Sequence, residues 1–320
     1  MKIKFLRFLC DPIDHTELIL QNEILDGDKI VSGILRSKNF SYSIIDGIPN
    51  FISNKNYSES FGFQWKRWSK TQFSEQNSGL LQFHTKKMFD DITGFTKKDL
   101  KKKVVLDAGC GAGRFTEVCL KMNATVIAID ASEAINVAKV NLKNRDSNLF
   151  LIKADVLKLP LKTGVIDYSF SIGVLHHTPF PLRGVKEAFR TLKKKGKFAI
   201  RLYPKNSYYT YFMVKIWRKI FLILKPFFHF YPPLIYSYFF GAISFILASI
   251  WIPLSYPLRA IFPTVYINDF RWSILDTFDS ISTVYQKGFH PKEIKKLLIL
   301  GGFKKITQKK INSNDFIAVK

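Results

Sequence analysis

Five short apolar runs between residues 104 and 203 constrain this chain more than any other feature. Val104-Val-Leu, Val126-Ile-Ala-Ile, Phe150-Leu-Ile, Tyr168-Ser-Phe-Ser-Ile and Phe198-Ala-Ile-Arg-Leu read as strands. Helix-period stretches, such as 133–145 and 181–194, lie between them. Strands that alternate with helices at this spacing pair in parallel through crossovers that cover both sheet faces. A doubly wound α/β sheet, mostly parallel, is therefore the expected fold.

The flanking blocks differ in character. Residues 1–53 are strand-like and turn-rich, with the alternating Ser41-Tyr-Ser-Ile-Ile and a turn at Asp46-Gly47. Residues 54–103 are polar with scattered aromatics, then helical, and close on Lys101-Lys-Lys. Residues 204–263 form a hydrophobic, aromatic insert punctuated by Pro. The tail then returns to mixed patterning, with a helix near 291–300 and strands near 303–309 and 314–319. The opening apolar stretch is broken by Arg7 and stops at Asp11-Pro12, too short for a secretion-signal core. A cytoplasmic protein is expected.

Three cysteines, Cys10, Cys110 and Cys119, exclude a disulfide framework and a four-cysteine zinc site. The formal net charge is +24. This imbalance fits an acidic surface as partner, or a chain simply rich in Lys, Ile, Asn and Phe throughout. Lys outnumbers Arg 38 to 11, whereas readers of guanine and phosphate favour the arginine fork. Nucleic acid is not the expected partner.

The first strand runs into Asp107-Ala-Gly109-Cys-Gly111-Ala-Gly113-Arg114 and then a helix. Glycines at alternate positions let the backbone turn sharply and approach a polar ligand beside free helix N–H groups. The spacing departs from the dinucleotide G-x-G-x-x-G and lacks the Lys-Ser/Thr of a phosphate loop. Asp130 ends the second strand, 21 residues past Gly109. Ala154-Asp155-Val156 follows the third. The fourth carries Ile166-Asp167-Tyr-Ser-Phe-Ser-Ile172-Gly173-Val-Leu-His176-His177-Thr-Pro179.

This ordered set resembles the class I S-adenosylmethionine (SAM) dependent methyltransferases of the small-molecule and glycan-tailoring type. The resemblance extends to 287–303 near the tail and to Ser60-Phe-Gly-Phe-Gln64-Trp65, similar to a segment that covers the cofactor. It implies a Rossmann-like methyltransferase domain over 104–320, with one antiparallel strand near the C-terminus, preceded by a helical covering segment at 54–103. It implies SAM as cofactor, held by Asp107, Gly109, Gly111, Gly113, Asp130 and Asp155, with Val156 and Ile172 also in contact. Asp130 would hold the ribose hydroxyls and Asp155 would meet the adenine amino group. Arg114 either faces the cofactor carboxylate or caps the loop helix. Residues 1–53 resemble a small zinc-ribbon-like module, through Cys10-Asp-Pro-Ile-Asp-His15 and Ile45-Asp-Gly-Ile-Pro49. With one cysteine there, a degenerate, metal-free copy with Cys10 in its core is expected.

Methyl transfer asks the protein mainly to align the acceptor and exclude water, plus a base where the acceptor is a hydroxyl. His176 and His177 follow the fourth strand at the carboxyl edge, where such sheets bind ligands. They are the candidate bases, set against a packing role. Tyr203, after the fifth strand, lines the pocket or belongs to the core.

From Phe230 to Leu258 the insert has no charged residue and no His. Leu234 to Ile252 would span about 29 Å as a helix, near the ~30 Å hydrocarbon core. Because the strands before and after share one sheet, a single crossing is excluded. A hairpin, a helix dipping into one leaflet or a helix buried in protein remains. Just before it, Lys215, Arg218, Lys219 and Lys225 fall on one helical arc, opposite Met213, Ile216, Trp217, Ile220, Phe221, Ile223 and Leu224. This pattern suits an anionic membrane surface met through 208–258 at the inner membrane face, with a pocket lid or subunit contact as the alternative. The expected function is methylation of a small or lipid-linked acceptor, a glycan or isoprenoid intermediate. An RNA or protein methyltransferase and a silent membrane adaptor are the alternatives.

Overall fold

Valine, isoleucine and leucine dominate the central strands of the sheet, which are buried on both faces. The computed structural model describes residues 1–52 and 57–320. The boundary drawn between residues 53 and 54 lies outside the described residues. Eleven strands form one sheet among the described residues. They are β1 (Ile19–Asp26), β2 (Lys29–Arg36), β3 (Ser41–Ile45), β4 (Ile48–Asn50), β5 (Val104–Ala108), β6 (Thr125–Asp130), β7 (Leu149–Lys153), β8 (Ile166–Ile172), β9 (Leu192–Arg201), β10 (Lys305–Gln308) and β11 (Asp315–Val319). Their order is β1-β2-β3-β4-β7-β6-β5-β8-β9-β11-β10.

All five runs read as strands are present, and β7, β6, β5, β8 and β9 pair in parallel. Near the C-terminus β11 is the reversed strand, antiparallel to both β9 and β10. The switch point lies between β5 and β8, where the chain order reverses. The first strands continue this same sheet: β4 joins β7 in parallel at Asn50 and Lys153, while β1 to β4 zigzag antiparallel. Phe5, in the turn of helix Ile3–Phe8, stacks on Phe150 of β7 at 4.9 Å between ring centroids, and both are fully buried.

The insert is a helical hairpin, Phe212–Phe228 and Tyr231–Ile250, followed by a short helix Tyr256–Ile261. Pro232 and Pro233 sit in the first turn of the second helix, where their missing N–H groups cost nothing. A further helix, Phe270–Ser282, was not foreseen in the mixed patterning of the tail. Helix Tyr231–Ile250 lies along it, and a Cβ at Gly241 would come within 2.6 Å of Ile274 Cδ1.

The expected four-residue basic stripe is not one surface. Arg218 is 7% exposed and points inward with Val214 and Phe221, donating from Nη2 to Tyr209 O. Burial lowers its pKa to about 10, while the nearby Asp279 carboxylate favours its charge. Lys225 is taken by Glu59 at 2.8 Å. Only Lys215 and Lys219 of the four are exposed.

The Phe5–Phe150 contact yields a stability prediction. Phe5→Ala should cost about 3–5 kcal/mol, the usual loss for a fully buried ring, measured by urea denaturation. A loss under about 1 kcal/mol would show that the N-terminal turn is not part of the core.

Candidate functional site

The carboxyl ends of β5, β6 and β8 open onto a cavity of about 610 Å³. That size suits a cofactor together with a small substrate. The glycine loop forms one wall. Gly109 has φ +94°, and a Cβ there would lie 2.4 Å from Val174 Cγ1. Gly111 has φ +53°, and its missing Cβ leaves about 3.0 Å to Trp65 Nε1. Helix Glu59–Arg67 therefore lies directly over the loop, in the covering position expected from its sequence.

Asp130 shapes the loop from the next strand. Its Oδ2 accepts from Gly111 N at 2.9 Å, and Oδ1 accepts from the Ser132 backbone N–H and hydroxyl. The carboxyl is buried and lines the cavity, and burial raises its pKa against those hydrogen bonds. Gly109, Gly111, Arg114, Val156 and Ile172 line the cavity as well.

Three expected cofactor residues stand elsewhere. Asp107 lies beneath the loop, where Oδ2 accepts from Thr116 Oγ1 at 2.6 Å. Burial pushes its pKa up to about 7. It ties β5 to the helix Arg114–Lys121 and does not line the cavity. Gly113 precedes that helix and packs on Leu142, which a Cβ would meet at 2.8 Å. Asp155 also does not line the cavity. Its Oδ1 accepts from Tyr57 OH at 2.7 Å and from Leu157 N, so it anchors Tyr57, which does line the cavity. Arg114 faces the cavity, with Nη1 buried and unpartnered among the described residues. Burial lowers its pKa to about 10 although Asp276 favours its charge.

The two histidines separate. His176 is fully buried behind the cavity wall, its ring tilted against that of Tyr203 at 3.8 Å between centroids, and neither ring nitrogen has a partner among the described residues. Burial drives its pKa well below the ordinary value. It packs the wall and is not placed to reach a ligand. His177 lines the cavity. Its Nδ1 lies 2.9 Å from Tyr285 O, a carbonyl that can only accept. The Nδ1–H therefore donates, and the neutral ring keeps its lone pair on Nε2. Tyr203 also lines the cavity and donates from OH to Asp279 Oδ2 at 3.3 Å.

Asp276 and Asp279 were missed in the sequence. Both line the cavity from helix Phe270–Ser282. Burial and the neighbouring Asp279 push Asp276 up to about 7. Burial also raises Asp279, against the favourable charge of His177 and a hydrogen bond from Gln64. The available signal was two acids three residues apart in the apolar run Trp272–Ile281, which puts both on one buried helix face.

Residues 106–200 match the family described as Methyltransferase domain. The match takes in β5 to β9, among them the strands whose carboxyl ends open onto the cavity. An uncharacterized protein of Methanocaldococcus jannaschii is 32% identical over 146 residues, covering 45% of this chain and 60% of that protein. A ubiquinone biosynthesis O-methyltransferase of Coxiella burnetii is 32% identical over 108 residues, covering 33% of this chain and 46% of that enzyme. The chain thus spans less than two thirds of either relative. The crystal structure of a SAM dependent methyltransferase from Aquifex aeolicus is 28% identical, with a TM-score of 0.32, covering 39% of this chain and 73% of that one.

The methyltransferase cavity suits SAM chemically. SAM presents a carboxylate, an ammonium, ribose hydroxyls and an adenine amino group, and so requires both donors and acceptors. The lining supplies the Arg114 Nη1 donor, the Asp130 carboxylate and the buried, unpartnered Gln64 Oε1 and Gln72 Oε1. Asp130→Ala should weaken SAM binding by about 1–3 kcal/mol, the loss of a charged partner together with the loop contact it fixes. Calorimetry checks this, and unchanged affinity would remove Asp130 from the cofactor site.

Proposed function

We propose that this chain is a SAM-dependent methyltransferase that methylates a hydroxyl of a small or lipid-linked acceptor, with His177 as the general base. The observation that carries this reading is the His177 imidazole on the cavity wall, held in one tautomer by Tyr285 O. SAM, when bound, supplies a methyl group on a sulfonium, already activated for an oxygen that is losing its proton.

His177 takes that proton at Nε2, and the Nδ1–H bond to Tyr285 O steadies the imidazolium that results. Asp279 favours the same charge from nearby. Tyr203 holds the Asp279 carboxylate in place through its hydroxyl. Burial, with the Arg218 charge adding to it, lowers the His177 pKa despite Asp279 and the Tyr285 carbonyl, so the neutral ring is favoured at pH 7. Trp65 and the helix that carries it keep bulk water from the loop. The Coxiella relative, a ubiquinone biosynthesis O-methyltransferase, supports an oxygen acceptor.

The pH dependence follows from the protonation state required. The active form is neutral His177, so kcat/KM should fall on the acid side, with its midpoint below the ordinary histidine value of about 6.5. Asp279→Asn removes a charge that raises this pKa, so the acid limb should move to still lower pH. His177→Gln should lower kcat by about 10²–10⁴-fold and abolish the limb while SAM still binds. A His177→Gln enzyme with a wild-type rate and acid limb would overturn the assignment.

A further inference from the structure

The insert hairpin turns its large apolar side chains outward. Helix Tyr231–Ile250 buries Ser237, Gly241, Ser244 and Ala248 on its inner side, toward helix Phe270–Ser282. Its outer side presents Ile235, Phe239, Ile246 and Ile250, each more than half exposed. These follow the three-to-four-residue repeat of a single stripe. Helix Phe212–Phe228 continues the surface with Phe212, Ile223 and Phe227, also more than half exposed. An apolar surface of this extent is a contact surface.

Charge selects the partner. Lys215 and Lys219 are exposed on the same side of helix Phe212–Phe228 as Phe227 and as Ile223, which the sequence pattern sets on the opposite face. No acidic residue occurs between Glu187 and Asp269. A two-fold dimer would pair this surface with itself, and would leave both lysines with no opposite charge to meet. An acidic bilayer supplies the negative charge and the apolar phase together. Exposed Tyr231, Trp251 and Tyr256 mark the helix ends with the residues that favour a membrane interface.

We propose that the outer face of helices Phe212–Phe228 and Tyr231–Ile250 seats this protein peripherally on an anionic lipid bilayer. The hairpin lies flat in the interface, with isoleucine and phenylalanine among the acyl chains and Lys215 and Lys219 at the headgroups. It does not cross, because its inner side is held by helix Phe270–Ser282 and the chain returns to β10 and β11 in the sheet. This placement is independent of the methyl-transfer reading.

The test is flotation of the full chain with vesicles of phosphatidylcholine alone or mixed with phosphatidylglycerol. Wild type should float strongly with the acidic vesicles and weakly with the neutral ones, and salt should reduce the former without abolishing it. Lys215→Gln with Lys219→Gln should weaken binding to acidic vesicles about thirty-fold, at the usual contribution of each surface cation. Ile235→Ser, Phe239→Ser and Ile246→Ser together should abolish flotation while leaving SAM binding and the melting temperature in place, since all three are exposed. The proposal is overturned if wild type stays at the bottom with acidic vesicles, including the case where light scattering shows a dimer that the serine variant dissolves. It is equally overturned if both variants float like wild type. SAM calorimetry on the same samples keeps this outcome apart from the fate of the enzyme reading.

Discussion

Asp130 accepts from Gly111 N, and the shape of the site depends on this bond. One carboxylate at the end of β6 fixes the loop that leaves β5, two strands that already run side by side. With the loop held there, Gly109 fits against Val174 of the β8 turn and Gly111 receives the Trp65 ring. The cofactor wall is thus assembled by backbone groups at a sheet edge, where side chains could not come so close. A buried carboxylate is tolerated because three donors satisfy it.

The strand runs and the glycine loop were legible because they depend on local rules. Val126-Ile-Ala-Ile reads as a buried strand by its length and β-branched residues, and the positive φ values of Gly109 and Gly111 explain why glycine stands there. The covering role of Trp65 was legible through resemblance, and its ring does lie over Gly111. What local pattern did not carry was the direction of side chains set by distant partners. Arg218 lies on the arc of a basic stripe, yet it turns inward to bond Tyr209 O, with the Asp279 charge, sixty-one residues later in the chain, favouring its own. His176 and His177 are adjacent in sequence, and only the packing of Tyr203 and the carbonyl of Tyr285 decide which one reaches the cavity. The joining of β4 to β7 likewise rests on a pairing across a hundred residues, which no window of sequence displays.

Two parts of the molecule serve both sides of one helix. Phe270–Ser282 gives Asp276 and Asp279 to the cavity, while Ile274, two residues before Asp276, meets the insert. The same helix therefore fixes the electrostatics of the acceptor wall and anchors the apolar hairpin. Arg218 reinforces the link, since it belongs to the hairpin and acts on Asp279. Glu59 and Lys225 add a second tie, from the covering helix to the first hairpin helix.

The close approach at Gly241 couples the hairpin to the helix that carries Asp276 and Asp279. A Cβ there would lie 2.6 Å from Ile274 Cδ1, the far end of a flexible side chain, so a larger residue turns that isoleucine aside before any backbone moves. The two carboxylates follow Ile274 by two and five residues on the same helix. Glycine at this one position thus lets the hairpin rest against the helix without disturbing the packing beside its acids.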